Sequence, residues 1–165
     1  MLFGKDMRHA PMAELAPIIK EVVKSGRSVK IYPRGTSMLP MIKEGRDSVT
    51  LSKISSGGIK KYDLILYTRD NGEYILHRVV KAGETYTCVG DARFVLEHGI
   101  NKEQIIAEVT AFTRKGKDYT KNSLGYKIYC RIWHFLRPLR RVYFAVLRRI
   151  KSFFKRHTRA GKVGK

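Results

Sequence analysis

Three residue types that together can break an acyl bond stand in order along the chain. Ser37 lies in a turn-rich stretch, His77 in an alternating apolar segment, and Asp91 and Glu97 follow. A serine hydroxyl is a weak nucleophile until a neutral imidazole takes its proton, and the imidazole needs a carboxylate to hold its tautomer. Singly, each has an ordinary reading. A loop serine, a strand histidine that packs and a Gly-Asp turn are common, and spacing alone does not make them converge. The five histidines show no short-range metal-ligand spacing, and Cys88 and Cys130 are too few for a disulfide scaffold or a four-thiolate zinc site. No metal or organic cofactor is implied.

The elements that would position these residues read as a mainly β body. Met12 to Lys24 sets Leu15, Ile18, Ile19, Val22 and Val23 at helical spacing and stops at Ser25-Gly26. Strand-like pieces rich in Val, Ile, Tyr and Thr follow at Val29 to Tyr32, Ser48 to Leu51, Asp63 to Thr68, Glu73 to Val80, Thr85 to Val89 and Ile105 to Phe112. Gly-containing turns separate them, and Asn71-Gly72 between two apolar runs marks a hairpin. The expectation is an antiparallel β domain over residues 1–113, capped by one helix. At 43% apolar and 29% charged, the 165-residue chain has enough apolar material for a core.

With those elements placed, the chain resembles the signal peptidase I clan of serine peptidases, which also contains the self-cleaving SOS-type repressors. The residues that carry the resemblance are Ser37-Met38-Leu39-Pro40, Tyr62-Asp63-Leu64-Ile65, His77-Arg78-Val79 and Gly90-Asp91, in the family's order. It covers residues 29–112 and is closest to the small S24/S26-type peptidase-like proteins. The resemblance implies a signal-peptidase-like antiparallel β domain and a serine endopeptidase cleaving precursor or signal-like peptides near a membrane. Ser37 would be the nucleophile, His77 the general base, and Glu97 or Asp91 the orienter, with Thr36 and Met38 at the oxyanion and substrate side. Most bacterial members use a lysine base; His77 resembles the endoplasmic-reticulum type, while Lys81 is expected to share the inward parity of His77. Tyr62 stands where the family usually has Gly, and Gly35 where related enzymes place an oxyanion serine. The backbone N–H of Ser37 is left as the main oxyanion donor. The competing expectation is a catalytically weak or inactive protein that binds peptides at a membrane surface.

Charge sets the carboxyl-terminal part apart. Lys and Arg number 34 against 14 acids, a net of +20, and residues 114–165 hold 17 of those bases with one acid, Asp118. This stretch is expected to form basic amphipathic helices, a second domain over 114–165. Ile128, Ile132, Phe135, Leu136, Leu139, Val142, Tyr143, Val146, Leu147, Ile150, Phe153 and Phe154 fall in an arc of roughly 140° at helical spacing. Arg137, Arg141, Arg148, Lys151 and Lys155 lie opposite, Cys130 and Phe144 break the pattern, and Pro138 should kink or split the helix. Bulky apolar residues beside unopposed bases fit an anionic membrane surface, with Tyr126, Tyr129, Trp133 and Tyr143 at headgroup level. Nucleic acid is the less favoured partner, since it gives Leu147, Phe153 and Phe154 no role. Met1 to Arg8 carries Lys5, Asp6 and Arg8 and no signal-like apolar run, and no segment has the length of a spanning helix. The expected place is cytoplasmic and peripheral to a membrane. Cutting after Lys121 is expected to leave a folded β domain.

Overall fold

The computed structural model describes residues 11–146 and residue 149. The stretch Met1 to Arg8, the distal apolar positions Leu147, Ile150, Phe153 and Phe154, and the bases Arg148, Lys151 and Lys155 lie outside the described residues. Helix α1 (Met12–Lys24) is followed by eight strands: β1 (Val29–Ile31), β2 (Ser48–Ser52), β3 (Leu64–Thr68), β4 (Tyr74–Lys81), β5 (Tyr86–Val89), β6 (Glu97–Ile100), β7 (Ile105–Arg114) and β8 (Lys117–Thr120). Helix α2 (Leu124–Phe135) comes next. The strands form one antiparallel sheet in the order β1-β2-β7-β3-β4-β5-β6, with β8 on the carboxyl-terminal half of β7.

All six expected strands are present, and the sheet is mainly β as the alternation requires. On β3, Leu64 to Tyr67 are all buried because both faces of that strand are covered. Leu64 and Leu66 join the larger core beneath α1, with Leu15, Ile19, Val49, Leu51 and Val109. Ile65 and Tyr67 join a smaller core on the other face, with Val79, Cys88, Ile100 and Ile105. The same parity on β4 sends Leu76 to the larger core, while Val79 and the partly buried Ile75 serve the smaller one. His77 and Arg78 are both buried and adjacent on this strand, so they point to opposite faces.

The chain separates into two compact units, Met1–Arg131 and Ile132–Lys165. The boundary expected after residue 113 thus moves along the chain, for two reasons. Lys115 (φ 51°) and Gly116 (φ 77°) make a two-residue turn that returns β8 onto β7. The first turns of α2 then bury Tyr126 and Cys130 in the larger core. Tyr126 rests on Phe112 at 4.8 Å between ring centroids. Cys130 breaks the apolar arc because it faces the β unit, and Tyr126 and Tyr129 lie on this inner side rather than among headgroup-level aromatics. A cut after Lys121 would strip this cover from the sheet.

In the second unit, the helix is interrupted by a turn at Leu136, two residues before Pro138, and resumes over 137–146. Arg140 stacks over Trp133 at 3.6 Å and donates to the Trp133 carbonyl at 3.0 Å. Among the described residues, no helix is long and apolar enough to cross a membrane.

Candidate active site

Four elements converge on His77. Strand β4 supplies the ring, β3 supplies Tyr67, β6 supplies Glu97, and the turn after β5 supplies Gly90. The Nδ1 edge of His77 lies 3.1 Å from Glu97 Oε1. Glu97 is itself gripped: Arg69 Nε and Nη2 donate to it at 2.8 and 2.6 Å, and the Tyr67 hydroxyl donates at 2.7 Å. Arg69 also pairs with Glu73 at 2.6 Å, which ties the carboxylate's holder to the β3–β4 hairpin.

The other ring edge faces Gly90. A side chain there would place its Cβ 2.6 Å from the Ser37 carbonyl oxygen and 2.9 Å from His77 Nε2. Glycine is therefore required for the Ser37 loop and the imidazole to approach the same spot. The Ala92 N–H donates to the Ser37 carbonyl at 2.8 Å, which locks the serine loop onto the turn that carries Gly90. Among the described residues, the Ser37 hydroxyl makes no hydrogen bond to His77, and no acceptor takes the Ser37 N–H.

Electrostatics favour a neutral ring. His77 is 6% exposed, and that burial pushes its pKa below the ordinary imidazole value, outweighing the nearby Glu97 carboxylate. Burial pushes Glu97 the other way, but the hydrogen bonds from Arg69 and Tyr67 prevail and hold its pKa low. A neutral ring with its Nδ1–H on an ionised Glu97 leaves the Nε2 lone pair toward Gly90 and the Ser37 loop. That is the tautomer a general base requires.

The two candidate acids separate cleanly. Asp91 takes two hydrogen bonds from Arg78, Nε and Nη2 each at 2.7 Å, and one from the Tyr129 hydroxyl at 3.2 Å. Arg78 Nη1 also reaches the Tyr62 carbonyl at 3.0 Å, the Tyr126 hydroxyl at 2.9 Å and Cys130 Sγ at 2.9 Å. Asp91 thus neutralises a buried guanidinium that docks α2, and it is Glu97 that lies against the His77 ring.

The structure places the remaining expected residues as follows. Thr36 is exposed at the loop rim. Met38 is buried in the larger core and lines a cleft of about 180 Å³ beside Ser37, walled further by Ile31, Leu66, Tyr74 and Leu76. The Gly35 N–H donates to Glu44 at 2.9 Å and is committed there. Lys81 does not share the inward parity of His77: the register shifts between Val79 and Lys81, and Lys81 ends exposed. Tyr62 adopts φ 79°, a left-handed conformation that glycine takes more readily than tyrosine.

Sequence reasoning missed Tyr67, Arg69 and Gly90. Tyr67 carries a readable signal, since it shares the parity of Ile65, which pairs with His77 across the hairpin. In the sequence Gly90 reads only as half of a Gly-Asp pair; its role depends on the approach of two distant segments. Among the described residues, no cluster of His, Cys, Asp and Glu is arranged to hold a metal ion. Compared with known proteins, the chain matches no protein-family model, no curated protein and no solved structure.

Proposed function

We propose that the protein is a serine endopeptidase of the signal-peptidase type, with Ser37 as nucleophile, His77 as base and Glu97 as orienter. The observation that carries this reading is the placement of the His77 ring. One nitrogen lies on a fixed carboxylate, and the other faces a glycine against which the Ser37 backbone also packs. Ser37 Oγ attacks the peptide carbonyl as His77 Nε2 takes its proton, and the Ser37 N–H donates to the developing oxyanion. His77 then returns the proton to the leaving amine, and water attacks the acyl-enzyme by the reverse route. The cleft beside Ser37 has largely apolar walls and accepts a modest apolar side chain on the substrate.

The substrates proposed are precursor or signal-like peptides met at a membrane surface. What favours the membrane is the exposed apolar series on the carboxyl-terminal helices: Phe135 at 78%, Leu139 at 64% and Val142 at 63% exposure. Hydrolysis of a peptide library by the wild-type protein and by Ser37→Ala tests the reading, with turnover expected only in the former. Cleavage that survives in Ser37→Ala would overturn it.

A second reading, peptide binding without turnover, is favoured by the absence of a Ser37–His77 hydrogen bond among the described residues and by the committed Gly35 N–H. It predicts peptide affinity with no hydrolysis in either protein.

A further inference from the structure

A second cleft, of about 530 Å³, opens on the β unit and shares no lining residue with the cleft beside Ser37. Its walls come from three places in the chain: the β2–β3 connection, the turn after β8, and the first turns of α2. Lys60, Lys61, Lys121, Lys127 and Arg131 line it, and Asp63 is its one carboxylate. Asp63 accepts the Lys60 N–H at 2.8 Å. Lys121 is held in place by Glu108 at 3.0 Å. Among the described residues, Lys60, Lys61, Lys127 and Arg131 make no ion pair, although the ammonium of Lys61 lies 5.2 Å from the Tyr62 ring centre.

Convergence of like charges is the informative feature. Lys127 and Arg131 stand one helical turn apart on α2, a spacing at which like charges repel. The loop bases Lys60 and Lys61 line the same concavity from another element. Such an arrangement is relieved by an anion bound among the bases. The bases reach the cleft from the β2–β3 connection and from α2, so a ligand carrying linked or neighbouring phosphates can engage both sets at once.

We infer that this cleft is a binding site for a polyphosphorylated anion, either a free polyphosphate ester or the headgroup of a multiply phosphorylated lipid. Leu124 at 72% and Ile128 at 46% exposure lie on α2 beside the lining bases and offer apolar surface next to the mouth for the lipid case.

The test uses the full chain and two probes: pyrophosphate, followed by calorimetry, and vesicles carrying a bisphosphorylated lipid, followed by cosedimentation. Three variants remove two exposed bases each: Lys127→Gln/Arg131→Gln on α2, Lys60→Gln/Lys61→Gln on the loop, and Lys20→Gln/Lys24→Gln on α1 as a control of equal charge and spacing. Pyrophosphate should bind one-to-one, both cleft variants should weaken it at least about tenfold, and the control should not. Binding confined to vesicles, with the same selective loss in both cleft variants, would assign the site to a lipid headgroup. Equal losses in cleft and control variants, or binding of neither probe, would overturn the inference.

Discussion

His77 has two hydrogen-bonding edges, and its surroundings treat them differently. Nδ1 meets a carboxylate that Arg69 and Tyr67 keep ionised, while Nε2 faces Gly90. Gly90→Ala should therefore abolish turnover, because its methyl would collide with the Ser37 carbonyl, which is backbone and cannot swing aside. The same overpacking should cost about 1–3 kcal/mol of stability, read by urea unfolding. The pH dependence follows from the lowered pKa of His77. In the proposed mechanism activity needs the neutral ring, so its acid limb should fall below the ordinary imidazole value of about 6.5. The unfolded chain binds the proton more readily than the folded one, so stability also declines as pH drops below about 6.5. A rate profile rising only in strongly alkaline solution would point to a lysine base instead. Tyr67→Phe should lower the catalytic rate constant and change the profile's acid limb with the fold intact, since it removes one of the hydrogen bonds that keep Glu97 charged.

At the level of elements, Arg78 and Asp91 tie β4, the turn after β5 and α2 into one buried group. Asp91→Asn leaves the guanidinium without its counter-charge and should destabilise the protein by about 3–5 kcal/mol. Glu97→Gln should instead lower turnover with a small change in thermal unfolding; equal stability losses in the two variants would refute this division of labour. Much of the sheet is legible in the sequence because β3, β4 and β7 carry long apolar runs with β-branched or aromatic residues. Two strands escape that pattern. β6 is Glu-His-Gly-Ile, too short and polar to show alternation, and β8 is Lys-Asp-Tyr-Thr, with no buried residue. The Lys115-Gly116 pair was the available signal for β8, since glycine readily takes the positive φ that such a turn needs. The choice between Glu97 and Asp91 was not legible. It depends on His77 and Arg78 facing opposite sides of one strand, with each acid following a different one. The inner face of α2 was hidden because Tyr126 and Cys130 lie outside the apolar arc that dominates the helix.

For the whole molecule, the unit boundary and the charge boundary differ, and this decides where the chain can be cut. Truncation after Arg131 should leave a cooperatively folded β unit, because it keeps Tyr126, Tyr129 and Cys130 on Arg78 and Asp91. Truncation after Lys121 should lower the thermal midpoint sharply or unfold the chain, as circular dichroism would show. The longer truncated form should bind anionic vesicles much less well than the full chain, since most of the exposed apolar series lies beyond Arg131. Salt should weaken full-length binding without eliminating it: screening reduces the attraction of the bases but leaves apolar burial.

The catalytic roles proposed for His77, Glu97 and Tyr67 depend on a nucleophilic Ser37 activated by the ring of His77. The most direct test is intact-protein mass spectrometry after exposure to a small fluorophosphonate, with the modified residue mapped by peptide digestion. One adduct on Ser37 is expected in the wild-type protein, strongly diminished in His77→Ala and absent in Ser37→Ala. No adduct in folded wild-type protein, or labelling of Ser37 that is indifferent to the loss of His77, would contradict the assignment.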